Sequence, residues 1–322
     1  MSENPYSSIF REELHGFAKL RMSRGYRNDM EYSLHKLDKY LVAEKISEKN
    51  LTPGIVDGWI ASCGNGLTTG TVTNYVKCAR KFAEYLLTLG ISAFITDYPL
   101  SSTNAYSPYI FSAHEVENIF RVVDNMEFPT NPEAKIQLPM LLRLLYGCGL
   151  RLGEALVLKI SNVDTETGVL HIFNAKGNKD RLVPMHLSLA DIVGKYCLIL
   201  TGASDNPFLF ATSDGAARKR VWARTRFREV LTEAGITIPS LPPRSRNICL
   251  HCLRHTFAVH SLRMQCLCGI DQYSTAPAIS VYLGHNNLMG TQKYLHMTAE
   301  NSEDIWKITN ALAKEIIPGV PR

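Results

Sequence analysis

A mainly helical chain, with a helical N-terminal domain and a larger, mostly helical domain carrying a small antiparallel sheet, is predicted by three observations. Apolar residues recur at helical spacing through long stretches of the 322 residues. One segment, YPLSSTNAYSPY (98–109), is rich in Ser, Pro and Tyr and lacks that periodicity, which marks a linker. VLHIFN and RLVPM, flanking KGNKD, have the length and turn chemistry of a β-hairpin.

In chain order, residues 1–100 read as four helices joined by short turns. Leu34, Leu37 and Leu41 share one face of YSLHKLDKYL, and Val72, Val76, Ala79, Phe82 and Leu86 form a second stripe that ends at Gly90. The same segment carries basic residues apart from the stripes, and Arg21, Arg24, Arg27, Lys77, Arg80 and Lys81 are candidate contacts to a nucleic-acid backbone. GNGLTTGT (64–71) is no nucleotide loop, because no Lys-Ser or Lys-Thr follows and no strand precedes; it reads as a loop with a threonine helix cap. The linker is set at 101–109, and the second domain runs over 110–322. That domain opens as helix through LPMLLRLLYGCGL, breaks at Gly147 and Gly149, and restarts as RLGEALVLKI. Beyond the hairpin the sequence reads mainly as helix.

Composition bounds the function classes. With 45% hydrophobic and 20% charged residues the chain reads as globular, and no run of about eighteen apolar residues could span a bilayer. MSENPYSSIFREEL lacks the apolar stretch of a signal peptide, so a cytoplasmic protein with reduced cysteines is expected. A net charge of +5 identifies no partner, but its distribution does. Arg218, Lys219, Arg220, Arg224, Arg226 and Arg228, with Trp222 and Phe227 among them and no acid before Glu229, suit a phosphate backbone. A merely solvated helix face usually carries interleaved acids. No G-x-G-x-x-G, Walker motif or H-E-x-x-H occurs.

CLHCLRHTFAVH (249–260) is the densest chemical stretch. Its C-x-x-C, Cys249 and Cys252, followed by Cys266 and Cys268, admits a zinc reading. Leu253, Phe257 and Leu262 give it an apolar side, while His251 and Arg254, three apart, share a face suited to phosphate.

YGCGLRLGEAL, AKGNKDRLVPMH, HCLRHTFAVH and YLGHNNLMGTQKYLH, in this order, resemble the tyrosine recombinase (phage integrase) family, and the preceding helices resemble its core-binding, SAM-like domain. The resemblance implies an active set of Arg151, Lys176, His251, Arg254, His285 and the nucleophile Tyr294. It implies DNA cleavage through a 3′-phosphotyrosyl link and rejoining to a different strand, with no metal, no ATP and no other cofactor. The implied partners are double-stranded DNA at specific recombination sites, three further copies of the chain in a homo-tetramer on two sites, and accessory DNA-bending or directionality proteins, with no membrane. A C-terminal stripe of Ile305, Ile308, Leu312 and Ile316 is expected to dock on a neighbouring subunit.

The chemistry needs these residue types. Attack on a phosphodiester builds charge on the non-bridging oxygens, which Arg151 and Arg254 can hold with planar forks. His285 adds a donor. A tyrosine with a pKa near ~10 is scarcely ionised at neutral pH, so Tyr294 needs a base, the role of His251. The departing 5′-oxygen needs an acid, for which Lys176 on the hairpin is preferred over Lys179. His255 and His260 are expected to be structural.

Cys266 to Pro277 is expected to form a loop extension, since relatives join two helices there by a short turn. The chain begins at once with the core-binding helices, so an arm-binding domain is not expected, which favours a transposon or integrative-element enzyme serving integration or excision. The rival readings are a Xer-like resolvase, a type IB topoisomerase-like strand transferase and a zinc-binding regulator.

Overall fold

The computed structural model describes residues 4–26, 30–64, 67, 69–99, 107–173, 180–203, 207–240, 247–285 and 288–300. The chain divides between Ser107 and Pro108 into two compact units. Residues 101–106 of the expected linker lie outside the described residues.

The first unit contains α1 (Arg11–Ser23), α2 (Glu31–Ala43), α3 (Pro53–Gly64) and α4 (Thr69–Thr88). The predicted stripes close its core: Leu34, Leu37 and Leu41 of α2 and Val76, Phe82 and Leu86 of α4 are buried with Phe10, Leu14 and Trp59. Asp38 enters this core from α2 because it has donors to satisfy. It accepts the backbone N–H of Ser7 (3.0 Å) and Ser8 (2.8 Å), tying the N-terminal segment to the bundle.

The second unit opens with α5 (Ala113–Asn125), whose N-terminus is closed by a capping box of Ser112 and Glu115. The apolar α6 (Ala134–Gly147) follows and is buried on most sides, as its continuous LPMLLRLL run requires. The short α7 (Leu152–Leu156) precedes a sheet of β1 (Val163–Asp164), β2 (Val169–Ile172) and β3 (Arg181–Pro184), antiparallel throughout in the order β1-β2-β3. Leu170 opposite Val183 points inward, so the hairpin is anchored by its apolar face. The third strand, β1, was not part of the sequence expectation. Then come α8 (Leu187–Ala203), α9 (Arg220–Glu233), α10 (His251–Leu267), α11 (Gln272–Leu283) and α12 (Met289–Glu300). The central α10 packs against α6, α11 and α12.

The expected loop at Cys266 to Pro277 is not a loop. α10 extends to Leu267, a turn over 268–271 reverses the chain, and α11 already contains Pro277. Gly269 takes a positive φ of 75° while the Ile270 N–H donates to the Gln265 carbonyl (2.9 Å), ending α10; Asp271 caps α11 by accepting from the Ser274 N–H (2.8 Å). The length of the segment read as a loop, but its Gly269 and Asp271 are a helix stop and a helix start.

Candidate active site

Two left-handed glycines shape the floor of the site. Gly149 (φ 57°) turns the chain from α6 towards α7, and a Cβ there would come within 2.6 Å of Phe257. Gly284 (φ 67°) ends α11 in a left-handed conformation that favours glycine, and a Cβ there would meet the Arg181 side chain at 3.0 Å. Both turns hand a carbonyl to an arginine. Arg254, 1% exposed on α10, donates to the carbonyls of Gly149 (2.6 Å) and Leu283 (2.6 Å). Arg151, at the start of α7, donates to Gly284 O (2.6 Å) and to Glu154 Oε1 (2.7 Å). Two guanidinium forks from different elements are thereby fixed at one place, and burial followed by the nearby Arg151 pushes Arg254 down to about 9.

Glu154 joins the pair to the sheet. Arg181 of β3 donates to both its oxygens (3.2 and 2.9 Å) and, through Nε, to the Tyr282 carbonyl on α11 (3.0 Å). Burial alone would raise the Glu154 carboxyl; Arg181 first and Arg151 next overcome it and hold it at about 2. With one partner, Glu154 would cancel the charge of Arg151. Shared between two, it leaves the trio with a net positive charge at neutral pH.

Tyr294 on α12, 1% exposed, places its hydroxyl 2.7 Å from His255 Nδ1. Burial raises the phenol to about 12, against the opposing pull of Arg254 and Arg151. His255 is driven down to about 2 by burial and then by His251, whose ring meets it edge-on at 4.4 Å. His285 stacks on Tyr294 at 6.1 Å, and Lys293 Nζ lies 5.0 Å from the tyrosine ring centre. The Nδ1 of His285 is 2.7 Å from the hydroxyl of the buried Thr291, and burial followed by Arg254 lowers this imidazole to about 3. A neutral His285 that accepts from Thr291 carries its proton on Nε2, which makes it a donor without adding charge.

Arg151, His251, Arg254, His285 and Tyr294 are thus brought together from α7, α10, α12 and the turn after α11. Lys176 and Lys179 lie outside the described residues. Glu154, Arg181, His255 and Thr291 are members of the cluster that sequence reasoning missed, His255 having been taken as structural. The spacing of His255 from Arg254 was no guide, because adjacent helical residues point in different directions. The other histidine of that helix, His260, lies apart and contacts the Tyr146 hydroxyl at 3.1 Å.

Residues 110–301 match the profile of the phage integrase family. The chain belongs to this family. Tyrosine recombinase XerD of Rhizobium meliloti (strain 1021) is 28% identical over 78% of this chain and 78% of its own length, and tyrosine recombinase XerC of Vibrio vulnificus (strain YJ016) is 25% identical over 98% and 96%. In fold the chain is similar to XerH site-specific recombinase bound to palindromic difH substrate (TM-score 0.61, 21% identity, 87% of this chain and 77% of that one). It is similar also to the Tn1549 transposon integrase in complex with transposon right end DNA (TM-score 0.61, 16% identity, 88% and 94%). The chain is a tyrosine recombinase, an enzyme that cleaves and rejoins DNA strands. No described helix is long and apolar enough to cross a membrane.

The basic residues of this recombinase separate into kinds. On α9 and its approach, Lys219, Arg220, Arg224 and Arg228 are exposed, with Arg220 lying against Gly153 of α7. Arg226 bonds Glu229 (2.6 Å). Arg218 differs: it is buried, donates to Gln137 (2.9 Å), Asn131 (3.1 Å) and Glu133 (2.9 Å), and lies over Trp222. Its guanidinium is spent on holding α6 and α9 together, so it leaves the set of candidate DNA contacts. In the first unit Lys77, Lys81 and Arg24 are exposed, although Lys81 pairs with Glu84 (2.7 Å). Arg80 donates to the Thr96 and Tyr98 carbonyls (2.7 Å each), Arg21 lies over the Tyr26 ring, and Arg27 is outside the described residues.

The four-cysteine zinc reading fails on geometry. Cys252 and Cys266 stand at opposite ends of α10, roughly 21 Å apart at the helical rise. Among the described residues no three His, Cys, Asp or Glu side chains converge on a point that could hold an ion.

Proposed function

We propose that this recombinase exchanges DNA strands at the ends of a mobile element, with Tyr294 as nucleophile and the Arg151–Arg254 pair as the clamp on the scissile phosphate. The observation that carries the reading is the Tyr294 hydroxyl, buried 2.7 Å from a neutral imidazole and electrostatically coupled to both arginines. Each guanidinium has two of its five N–H donors in the described protein bonds, which fix the fork and leave edges for phosphate oxygens.

In the free protein the phenol is protonated, and attack requires it to lose that proton. His255 is the acceptor in contact, donor and acceptor being matched when the ring proton sits on Nε2; His251, edge-on to His255, extends the path outward. Binding a phosphodiester beside Arg151 and Arg254 places the phosphorus within reach of Tyr294. The phenolate oxygen forms the 3′-phosphotyrosyl bond as the 5′-oxygen leaves, protonated by Lys176. His285 Nε2–H then supports the charge on a non-bridging oxygen. Reversal by a 5′-hydroxyl from another strand reseals the DNA with no external energy. Lys77, Arg24, Lys219, Arg224 and Arg228 supply backbone contacts, and the first unit acts as the core-binding domain.

Four chains on two sites follow from the chemistry, because exchange of two duplexes needs four cleavages and each chain offers one Tyr294. The stripe Ile305 to Ile316, outside the described residues, is the proposed docking segment in that assembly, and accessory DNA-bending proteins set its direction. The enzyme works in the cytoplasm. A second reading, Xer-like resolution of repeated sites, is favoured by identity to XerC across 98% of the chain.

Suicide substrates cut from the ends of the protein's own genetic element, and separately from directly repeated chromosomal sites, decide between the two. Covalent trapping on element ends is expected. Tyr294→Phe is expected to bind these sites with unchanged affinity and form no adduct; an adduct from that variant removes Tyr294 from the nucleophile role.

A further inference from the structure

The C-x-x-C that opens α10 is not absorbed by the strand-transfer chemistry, and among the described residues it belongs to no group of three His, Cys, Asp or Glu that could hold a metal. Cys249 is exposed immediately before the helix, and Cys252 is buried in its first turn. The backbone already pairs them. The Cys252 N–H donates to the Cys249 carbonyl (2.8 Å), and the Cys249 N–H points at Cys252 Sγ (3.5 Å). A four-residue turn closed in this way holds its end Cα atoms within about 7 Å, overlapping the roughly 4.4–6.8 Å that a disulfide spans. Among the described cysteines this is the pair joined by hydrogen bonds; Cys266 and Cys268 flank a single residue at the far end of α10.

We propose that Cys249 and Cys252 form a dithiol–disulfide site, oxidised by a hydroperoxide and reopened by a thiol reductant, and that the closed disulfide arrests the adjoining cleavage centre. Three physical features divide the roles. Cys249 is the exposed member, and the Cys252 thiol first, then the His251 and Cys252 backbone N–H groups and Arg224, push it down against its partial burial, which favours the thiolate. Cys252 is raised by its neighbour Cys249 and then by burial, and stays a thiol. A low-pKa exposed cysteine beside a protected second one is the arrangement of a redox-responsive pair.

The chemistry balances. The Cys249 thiolate attacks the terminal oxygen of ROOH, the O–O bond breaks, and ROH leaves after taking up a proton, giving a sulfenic acid. The Cys252 sulfur then attacks the Cys249 sulfur, and the hydroxyl departs as water with the Cys252 proton. Two thiols and ROOH become one disulfide, ROH and water, a two-electron oxidation of the pair.

The effect on catalysis follows from position and rests on the proposed roles of the cluster. Bridging contracts a thiol–thiol contact to a bond of about 2.05 Å. Cys252 and Leu250 are both set in the core, so closing the bond draws on the exposed Cys249 and strains the turn that leads through Leu250 into His251. The His251 ring lies 4.4 Å from that of His255, which holds the Tyr294 hydroxyl, and Arg254 follows Cys252 by two residues.

The test uses the full-length protein, hydrogen peroxide as oxidant and dithiothreitol as reductant. Non-reducing peptide mass analysis reads the disulfide, and suicide-substrate trapping reads cleavage. The 249–252 disulfide is expected to form, with cleavage falling at least tenfold and returning on reduction. Cys249→Ser, an exposed and conservative change, is expected to cleave like the reduced wild type with and without peroxide; the Cys266→Ser/Cys268→Ser variant is expected to lose activity on oxidation like wild type. Oxidation of Cys249 that never proceeds to a 249–252 disulfide overturns the site, and a fully formed disulfide with unchanged cleavage overturns the arrest. Because the disulfide is read by mass, a failure of the Tyr294 reading, seen as no adduct from reduced protein, is separate from either outcome.

Discussion

Arg254 lies 1% exposed between the Gly149 and Leu283 carbonyls, while Arg224 and Arg228 on α9 stand in solvent. The contrast is one of solvation. A guanidinium in water is a diffuse charge that can track a phosphate backbone and costs nothing to leave unpaired. A guanidinium in the interior has lost its water and must be held by fixed acceptors, which makes its orientation part of the fold. In the proposed function the first kind would supply affinity that salt screens, and the second a preorganised field where charge develops in the transition state. Arg218 stands between them, drawn from the basic stretch into the interior by Asn131, Glu133 and Gln137.

The sharpest way to break this contrast is Arg254→Lys. The charge is kept, but one ammonium cannot span Gly149 O and Leu283 O, so cleavage is expected to fall by about 10²–10³-fold and stability by about 3 kcal/mol. Trapping rates and thermal melts check both, and near-normal cleavage would show that a diffuse positive field is enough.

Next comes the charge balance of Glu154. Arg181→Met leaves Glu154 facing Arg151 alone and is expected to lower the cleavage rate by about tenfold or more, with DNA affinity nearly unchanged. Adding Glu154→Gln removes the cancelling charge, so the double variant is expected to recover part of the loss. A double variant that cleaves no better than Arg181→Met would reduce Arg181 to a packing role.

Arg218, just before α9, separates from the arginines of the helix. Arg218→Ala is expected to destabilise by about 2 kcal/mol, because it strips the donor from Gln137 Oε1 in the core while Gln137 Nε2 keeps its bond to the Ala211 carbonyl. Arg224→Ala and Arg228→Ala are expected to leave the melting temperature unchanged and to flatten the salt dependence of DNA binding by about one counterion each. The opposite assignment in melts and salt titrations would reverse the division.

The pH dependence of stability tests the buried side of the contrast without a substitution. His255 in the fold is held near 2, below its unfolded value of 6.5, so the folded state takes up fewer protons. Its contribution is present in full above about 6.5 and is lost as pH falls from there towards 2, at up to about 1.4 kcal/mol per pH unit. His285, held near 3, acts in the same direction, and both begin to act before Glu154, whose contribution is lost between 4.5 and about 2. Denaturant titrations at pH 7.0, 6.0 and 5.0 are expected to show the loss, reduced in His255→Gln; a flat profile would mean these imidazoles take up protons in the fold.

Much of this protein was decided by sequence alone. The stripes of α2 and α4, the break at Gly149 and the hairpin of β2 and β3 follow from local rules, since apolar period and turn chemistry are properties of neighbouring residues. That Arg151, Arg254, His285 and Tyr294 share one cluster was legible because their motifs occur in one recognisable order. Tertiary structure alone decided that Glu154 is shared by Arg151 and Arg181, that His255 rather than His251 meets the Tyr294 hydroxyl, and that Arg218 leaves the basic surface. It also decided that Cys266 to Pro277 continues two helices. The physical reason is common to all of these. Burial and hydrogen-bond partners come from residues distant in the chain, as with Arg254 and Gly149 or Arg181 and Tyr282, and no local pattern records which charge will lose its water.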